Sequence, residues 1–305
     1  MELLNIILQM SVLIITAPLL SGIIRKLKNN MRLRTGPGIL QPYYNIAKLF
    51  SKDEVISVDT SWLFRVAPYA AVSSSAAALA FVPAFLPGVS LGFAGDFLAV
   101  IFLLSFGRFF LALAGLDAGS AFGGMGSSRE MFISSFVEPA AVLAVFAVSA
   151  AAGTTDLAAI SLAALIKPSA VIAAAAFFVV MLAETARLPI DNQETHLELT
   201  MIHEAMTLEY SGPSLALIES ASYIKQVLFM TIAVNTALPQ AVIAGFFPGM
   251  AAGIAFYGLK ILGACFIVAL LEVSIAKLRL FRSTDFLLFG FLLSAAAFIM
   301  AVTGS

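Results

Sequence analysis

The chain has little that would suit it to water. Lys, Arg, Asp and Glu make up 11% of its 305 residues, less than half the share of about 25% in soluble domains, and mean hydropathy is +1.00. That scarcity excludes the soluble globular class and leaves a membrane protein. Cysteine occurs once, as Cys265. One thiol forms no internal disulfide and holds no iron–sulfur cluster, which is bound by about four thiolates. Within its apolar run Cys265 reads as a small core residue. The glycine-rich stretch Gly115 to Glu130 lacks the following lysine and preceding strand of a phosphate-cradling loop, so nucleotide binding is not expected, and neither is a nucleic-acid partner. No basic start precedes the first apolar run, which is long and followed directly by Arg25 and Lys26, so a cleavable leader is not expected.

Apolar segments near 20 residues long span a bilayer as helices. Eight are expected, near 3–24, 66–87, 97–116, 132–152, 165–183, 214–237, 251–275 and 285–302. Runs such as "SSSAAALA" and "AVIAAAA" supply the small residues that let helices approach in lipid. The fold class is an all-α polytopic membrane protein forming a single integral membrane domain over 1–305. Lys and Arg crowd the connections 25–65 and 276–284 and are missing from 88–95, 153–164 and 238–250. The positive-inside rule then makes the connections 25–65, 117–131, 184–213 and 276–284 cytoplasmic and turns both termini outward.

Against this apolar background one window stands out. "ETARLPIDNQETHLELTMIHEAMTLEY", Glu184 to Tyr210, holds six of the chain's 18 acids, Glu184, Asp191, Glu194, Glu198, Glu204 and Glu209, with Arg187 and both histidines, His196 and His203. Pro189 ends the fifth span, and Asp191 or Asn192 offers a cap for a following helix. The order H-x-E-x-x-x-x-H-E departs from zinc-binding H-E-x-x-H spacing, so no metal is expected. A solvated loop is one reading. A coupled titratable cluster facing a cavity or a docked partner explains the acid density better. Inside the spans lie Arg108, Glu138, Glu219, Lys225, Lys260 and Glu272. Ionisable groups there cost about 2.5–3.5 kcal/mol by insertion scales and face a bundle interior or a partner. Glu138, Glu184, Glu219, Lys225, Lys260 and Glu272 form either a polar proton path from the acidic loop into the bilayer or merely local pairs, such as Glu219 with Lys225 and Glu272 with Lys277. In "RLRTGPGILQPYYNIAKLFSKDE", Gly36-Pro37-Gly38 predicts a turn. After Pro42, the residues Tyr43, Ile46, Ala47, Leu49 and Phe50 share one helical face, which predicts a short amphipathic helix at the interface.

Four blocks, "RTGPGILQPYYNIAKLFSKDE", "GSSREMFISSFVEP", "AETARLPIDNQETHLE…EYSG" and "AKLRL", resemble in order and spacing the NADH dehydrogenase subunit 1 family of respiratory complex I and its hydrogenase relatives. "GLDAGSAF" and "SSRE…VEP" are most similar to energy-converting membrane-bound nickel–iron hydrogenases and formate hydrogenlyase. "HLELTMIHEAMTLEY" is longer than its counterpart in the quinone-reducing members. The resemblance implies a non-catalytic membrane-anchor and coupling subunit in a prokaryotic cytoplasmic (inner) membrane, without a redox centre of its own. It would dock a peripheral arm and couple electron transfer to H⁺ or Na⁺ translocation. Iron–sulfur clusters and the nickel–iron centre would lie in partners: hydrogenase large and small subunits, a ferredoxin-like subunit and, in the membrane, antiporter-like subunits. Arg34, Gly36, Pro37, Gln41, Pro42 and Lys48 match the cavity entrance beneath that arm, with Arg129, Arg187 and His203 as further docking residues. Glu138, Glu184, Asp191, Glu194, Glu198 and Glu209 match the family's blocks and are implied in coupling; Glu204 lies in the longer segment, and Glu219, Lys225, Lys260 and Glu272 join them as the in-span charges of the expected path. The alternatives are the equivalent subunit of a quinone-reducing complex, a stand-alone transporter and a purely structural anchor.

Overall fold

The computed structural model describes residues 2–57, 59–85, 96–162, 167–191, 201–239, 250–278 and 280–304. These are helical, with no strand among the described residues beyond one isolated bridge from Asp96 to Asp156. The helices are α1 (Glu2–Met31), α2 (Gln41–Phe50), α3 (Trp62–Phe81), α4 (Phe97–Asp117), α5 (Ala121–Ala152), α6 (Leu157–Leu162), α7 (Pro168–Glu184), α8 (His203–Thr207), α9 (Gly212–Ala237), α10 (Met250–Ser274) and α11 (Leu280–Thr303). Seven are long and apolar enough to cross a membrane, and α7 is a shorter apolar helix. The chain is an all-α polytopic membrane protein, as composition required. α2 is the expected amphipathic helix, with Pro42 buried and Tyr43, Ile46 and Leu49 partly covered, while Ala47 and Phe50 are exposed. Its Tyr43 hydroxyl donates to the Ile15 carbonyl of α1.

Two local expectations change. The connection expected at 117–131 is helical from Ala121 onward, because Ser120 caps α5 by accepting the Gly123 N–H. The glycines serve close packing instead of a loop. A Cβ on Gly123 would meet the Gly115 carbonyl of α4, and one on Gly126 would come within 2.9 Å of the Ile202 carbonyl and the Ala205 Cβ. Likewise Gly36-Pro37-Gly38 is not the turn itself: the chain turns just after it, with Gln41 N donating to the Gly38 carbonyl at 3.1 Å.

Five helices close a ring through successive contacts, α3 to α4, α4 to α5, α5 to α7, α7 to α9 and α9 back to α3. Outside the ring α11 covers α5 and α7, whereas α1 and α2 lie on α9 and α10 lies on α1. One end is closed by α8, which touches α4 and α5. Gly126→Val should push α8 off its seat, since the atoms it meets are backbone and a short side chain. We expect the melting temperature of the purified protein to fall by several degrees, about 1–3 kcal/mol of overpacking. An unchanged melting curve would show that α8 is not held there.

Candidate functional site

The ring interior holds charge. Arg108 is the single cation of α4 and is buried among apolar neighbours. Its guanidinium meets the Glu184 carboxylate at 2.5 Å and that of Glu138 at 2.9 Å. Lys225 of α9 meets the other oxygen of Glu184 at 3.4 Å. Glu184 falls at the C-terminus of the short α7, so the end of that helix delivers a carboxylate into the bundle between α4 and α9. The Glu138 side chain, by contrast, is 42% exposed where Arg108 and Glu184 are at most 5%. It borders a cavity of about 340 Å³ between α4 and α5 with Ser105, Arg108 and Ser134.

A second cluster continues the line. Beyond α7 the chain turns and presents Arg187, which donates to Glu272 of α10 at 2.7 Å and to the Gln226 side-chain oxygen at 2.8 Å. Lys28 of α1 meets the other Glu272 oxygen at 3.2 Å. Lys225 and Gln226 are adjacent on α9, and Glu184 and Arg187 flank the end of α7. The two clusters therefore form one belt across α5, α4, α7, α9, α10 and α1. Arg187 Nε and Gln226 Nε2 are buried without a hydrogen-bond acceptor among the described residues.

Asp191 organises the following segment. It accepts the Ile202 and His203 backbone N–H groups at 3.1 Å each and pairs with Lys277 at 3.0 Å. That fixes α8 at the ring mouth, helped by Arg129, which donates to the Met201 carbonyl at 2.9 Å. His203 lines two cavities. One is narrow, with Arg108, Glu184 and Lys225; the other, about 230 Å³, holds Arg25, Asn45, Glu204, Glu219 and Tyr223. At this mouth Tyr210 stacks on Phe64 at 3.9 Å and donates to its carbonyl at 2.9 Å. Burial, then Asp117 and Glu54, raises its phenol above the ordinary value, so it stays a neutral donor.

The residues singled out from sequence fall into separate groups. Glu138, Glu184, Lys225, Arg187 and Glu272 meet in the belt, while His203, Glu204 and Glu219 share the larger cavity. Glu209 is exposed on the surface, as are Arg34, Pro37 and Lys48, with Gly36 half-buried beside Asn29 and Gln41 donating to Asn45 within α2. Glu194, Glu198 and His196 lie outside the described residues. The two local pairs weighed from sequence are not those formed: Lys225 takes Glu184, and Lys277 takes Asp191 in place of Glu272. Lys260 does not join Lys225. It donates to Asn235, ten residues or about 15 Å farther along α9. Sequence reasoning gave no role to Arg108, Lys28 or Gln226. Arg108 was visible as the lone charge of its span, but Lys28 was counted with the loop because α1 runs beyond the expected end at 24.

Seven long apolar helices around a ring of buried, cross-linked charges define a multi-pass integral membrane protein. The chain belongs to the NADH dehydrogenase family, whose model matches residues 4–303. It is 32% identical to hydrogenase-4 component C of Escherichia coli (strain K12), over 97% of this chain and 95% of that one. It is 31% identical to formate hydrogenlyase subunit 4 of the same organism, over 92% of each. A subunit of the NADH-quinone oxidoreductase of Syntrophotalea carbinolica is 27% identical over 84% of this chain and 81% of its own. Among solved structures, a chain of an archaeal membrane-bound sulfane sulfur reductase shares the fold at a TM-score of 0.82. It is 20% identical, with 97% of this chain and 99% of that chain covered.

Proposed function

We propose that this chain is the membrane-anchor and coupling subunit of a complex-I-like energy-converting hydrogenase or formate hydrogenlyase, docking a peripheral redox arm and linking electron transfer to H⁺ or Na⁺ movement. The observation that carries the proposal is the Arg108–Glu184–Lys225 triad inside the helix ring, one His203 away from the cavity of Glu204 and Glu219. A charge change at the α8 face, where a docked arm would sit, is felt by groups a few ångströms apart in a poorly screened interior. From Glu184 the response passes through Arg108 to Glu138, whose exposure on the outer wall suits transfer to a neighbouring membrane subunit. The crowding of Lys and Arg at 25–65 and 276–284 supports a cytoplasmic α8 face in a prokaryotic inner membrane. The clusters and the nickel–iron centre belong to partner subunits in this reading, consistent with the single buried Cys265 here.

Purification of the native complex through a tag on this chain should yield stoichiometric nickel and iron, measured by elemental analysis. An intact complex without nickel but with bound quinone would overturn the hydrogenase reading in favour of the quinone-reducing one, which the 27% identity to a subunit of an NADH-quinone oxidoreductase leaves as the second reading.

A further inference from the structure

Lys260 lies outside the belt and has no counter-charge among the described residues. Its side chain is 7% exposed, and its ammonium donates to the Asn235 side-chain oxygen at 2.6 Å and to the Leu238 carbonyl at 2.9 Å. Asn235 is itself pinned, its amide donating to the Pro83 and Ala84 carbonyls at 2.9 and 3.1 Å. The face of the Phe256 ring lies 4.9 Å away. All these partners are neutral, and an ammonium carries a third donor. The same lysine is the charged residue lining a groove of about 460 Å³ between α7, α9 and α10. Apart from it the groove is apolar, and six of its lining residues are small: Ala174 and Ala175, Ala233 and Ala237, Gly263 and Ala264.

We propose that this groove seats a transmembrane helix of a neighbouring subunit, bearing a carboxylate that pairs with Lys260. Two observations select that occupant. Small residues from three helices on one face are what lets another helix approach closely in lipid, where apolar surface alone gives no preference between helix and acyl chain. A buried cation with only neutral partners calls for an anion in the same low-dielectric layer. The Lys260 ammonium reaches the end of α9, at Asn235 and the Leu238 carbonyl, so the paired carboxylate is expected near that end of the neighbouring helix. The proposal borrows from the proposed function only that the chain sits beside other membrane subunits; it requires no ion transport.

The test is crosslinking in the native complex with the photoreactive residue p-benzoylphenylalanine in place of Leu259, which lines the groove and is 68% exposed. The expected product joins this chain to a spanning segment of a second membrane subunit, with an Asp or Glu within about two helical turns of the crosslinked position. Lys260→Met should then lower retention of that subunit about tenfold. A charge swap, Lys260→Glu with the mapped carboxylate changed to Lys, should restore it. Crosslinks confined to lipid or to this chain would overturn the proposal, as would a crosslinked helix without a carboxylate or full retention in Lys260→Met. Because the readout is subunit composition, these results are separable from the loss of nickel or of ion pumping that would sink the proposed function.

Discussion

Glu184→Gln is expected to abolish redox-coupled ion translocation while leaving an assembled complex. Glutamine keeps the size and one acceptor of the carboxylate, so α7 can still end between α4 and α9. What it removes is the negative charge shared by Arg108 at 2.5 Å and Lys225 at 3.4 Å. Unit charges about 4 Å apart at an effective dielectric near 20 interact by about 4 kcal/mol. Losing even half of that shifts any equilibrium that depends on it about thirtyfold. Arg108 would retain Glu138 alone, and Lys225 would lose its carboxylate partner, so a charge change at the α8 face would meet a broken line. Translocation measured in proteoliposomes of the purified complex should drop to background, with electron transfer reduced much less. Wild-type translocation by this variant would remove the triad from the mechanism. Arg108→Met should fail in the same assay and also lower the yield of assembled complex, because it leaves Glu184 and Glu138 without the cation that joins them.

Much of the framework could be read from the chain. Eight apolar segments became seven long helices and the shorter α7, and "QPYYNIAKLF" announced α2 by periodicity alone. The acidic window was equally plain as composition. What did not follow was which charge meets which. Arg108 and Glu184 are 76 residues apart, Arg187 and Glu272 are 85, and Lys28 and Glu272 are 244. Such pairs are set by how the ring helices and the outer α1 and α10 pack together, and local spacing carries no trace of that. Local spacing instead suggests Glu219 with Lys225, which lie six apart on α9 and line different cavities: Lys225 the narrow one, Glu219 the larger. The glycines of 115–130 misled for a related reason. In a soluble chain they would signal a loop, whereas here Gly115, Gly123 and Gly126 are surfaces through which α4, α5 and α8 touch.

Glu272 should prove the most costly residue of the belt to neutralise for stability. It holds two buried cations, Arg187 at 2.7 Å and Lys28 at 3.2 Å, and its own side chain is 5% exposed. Removing one partner of a buried ion pair costs about 3–5 kcal/mol, because the remaining charge stays in the interior without compensation. Here Glu272→Leu takes the carboxylate away from two such charges, and Arg187 keeps only the neutral Gln226 oxygen. The variant should therefore lose well over half of an ordinary stability margin of about 5–15 kcal/mol. It should be recovered in low yield, with a strongly lowered melting temperature. Glu272→Gln, which can still accept from Arg187, should fall between that and wild type. Adding Lys28→Met to Glu272→Gln should recover part of the loss, since one of the two cations that Glu272 neutralised is then gone. A double-mutant cycle on Lys28 and Glu272 isolates that recovery as a coupling energy, expected within the range of about 0.5–3 kcal/mol seen for residues in contact. A coupling near zero would mean that Lys28 is carried by solvent or by other groups and that the belt ends at Arg187. A large one would tie α1 to α10, and through Arg187 to the end of α7, making the segment after Glu184 a rigid strut between the outer helices and the ring.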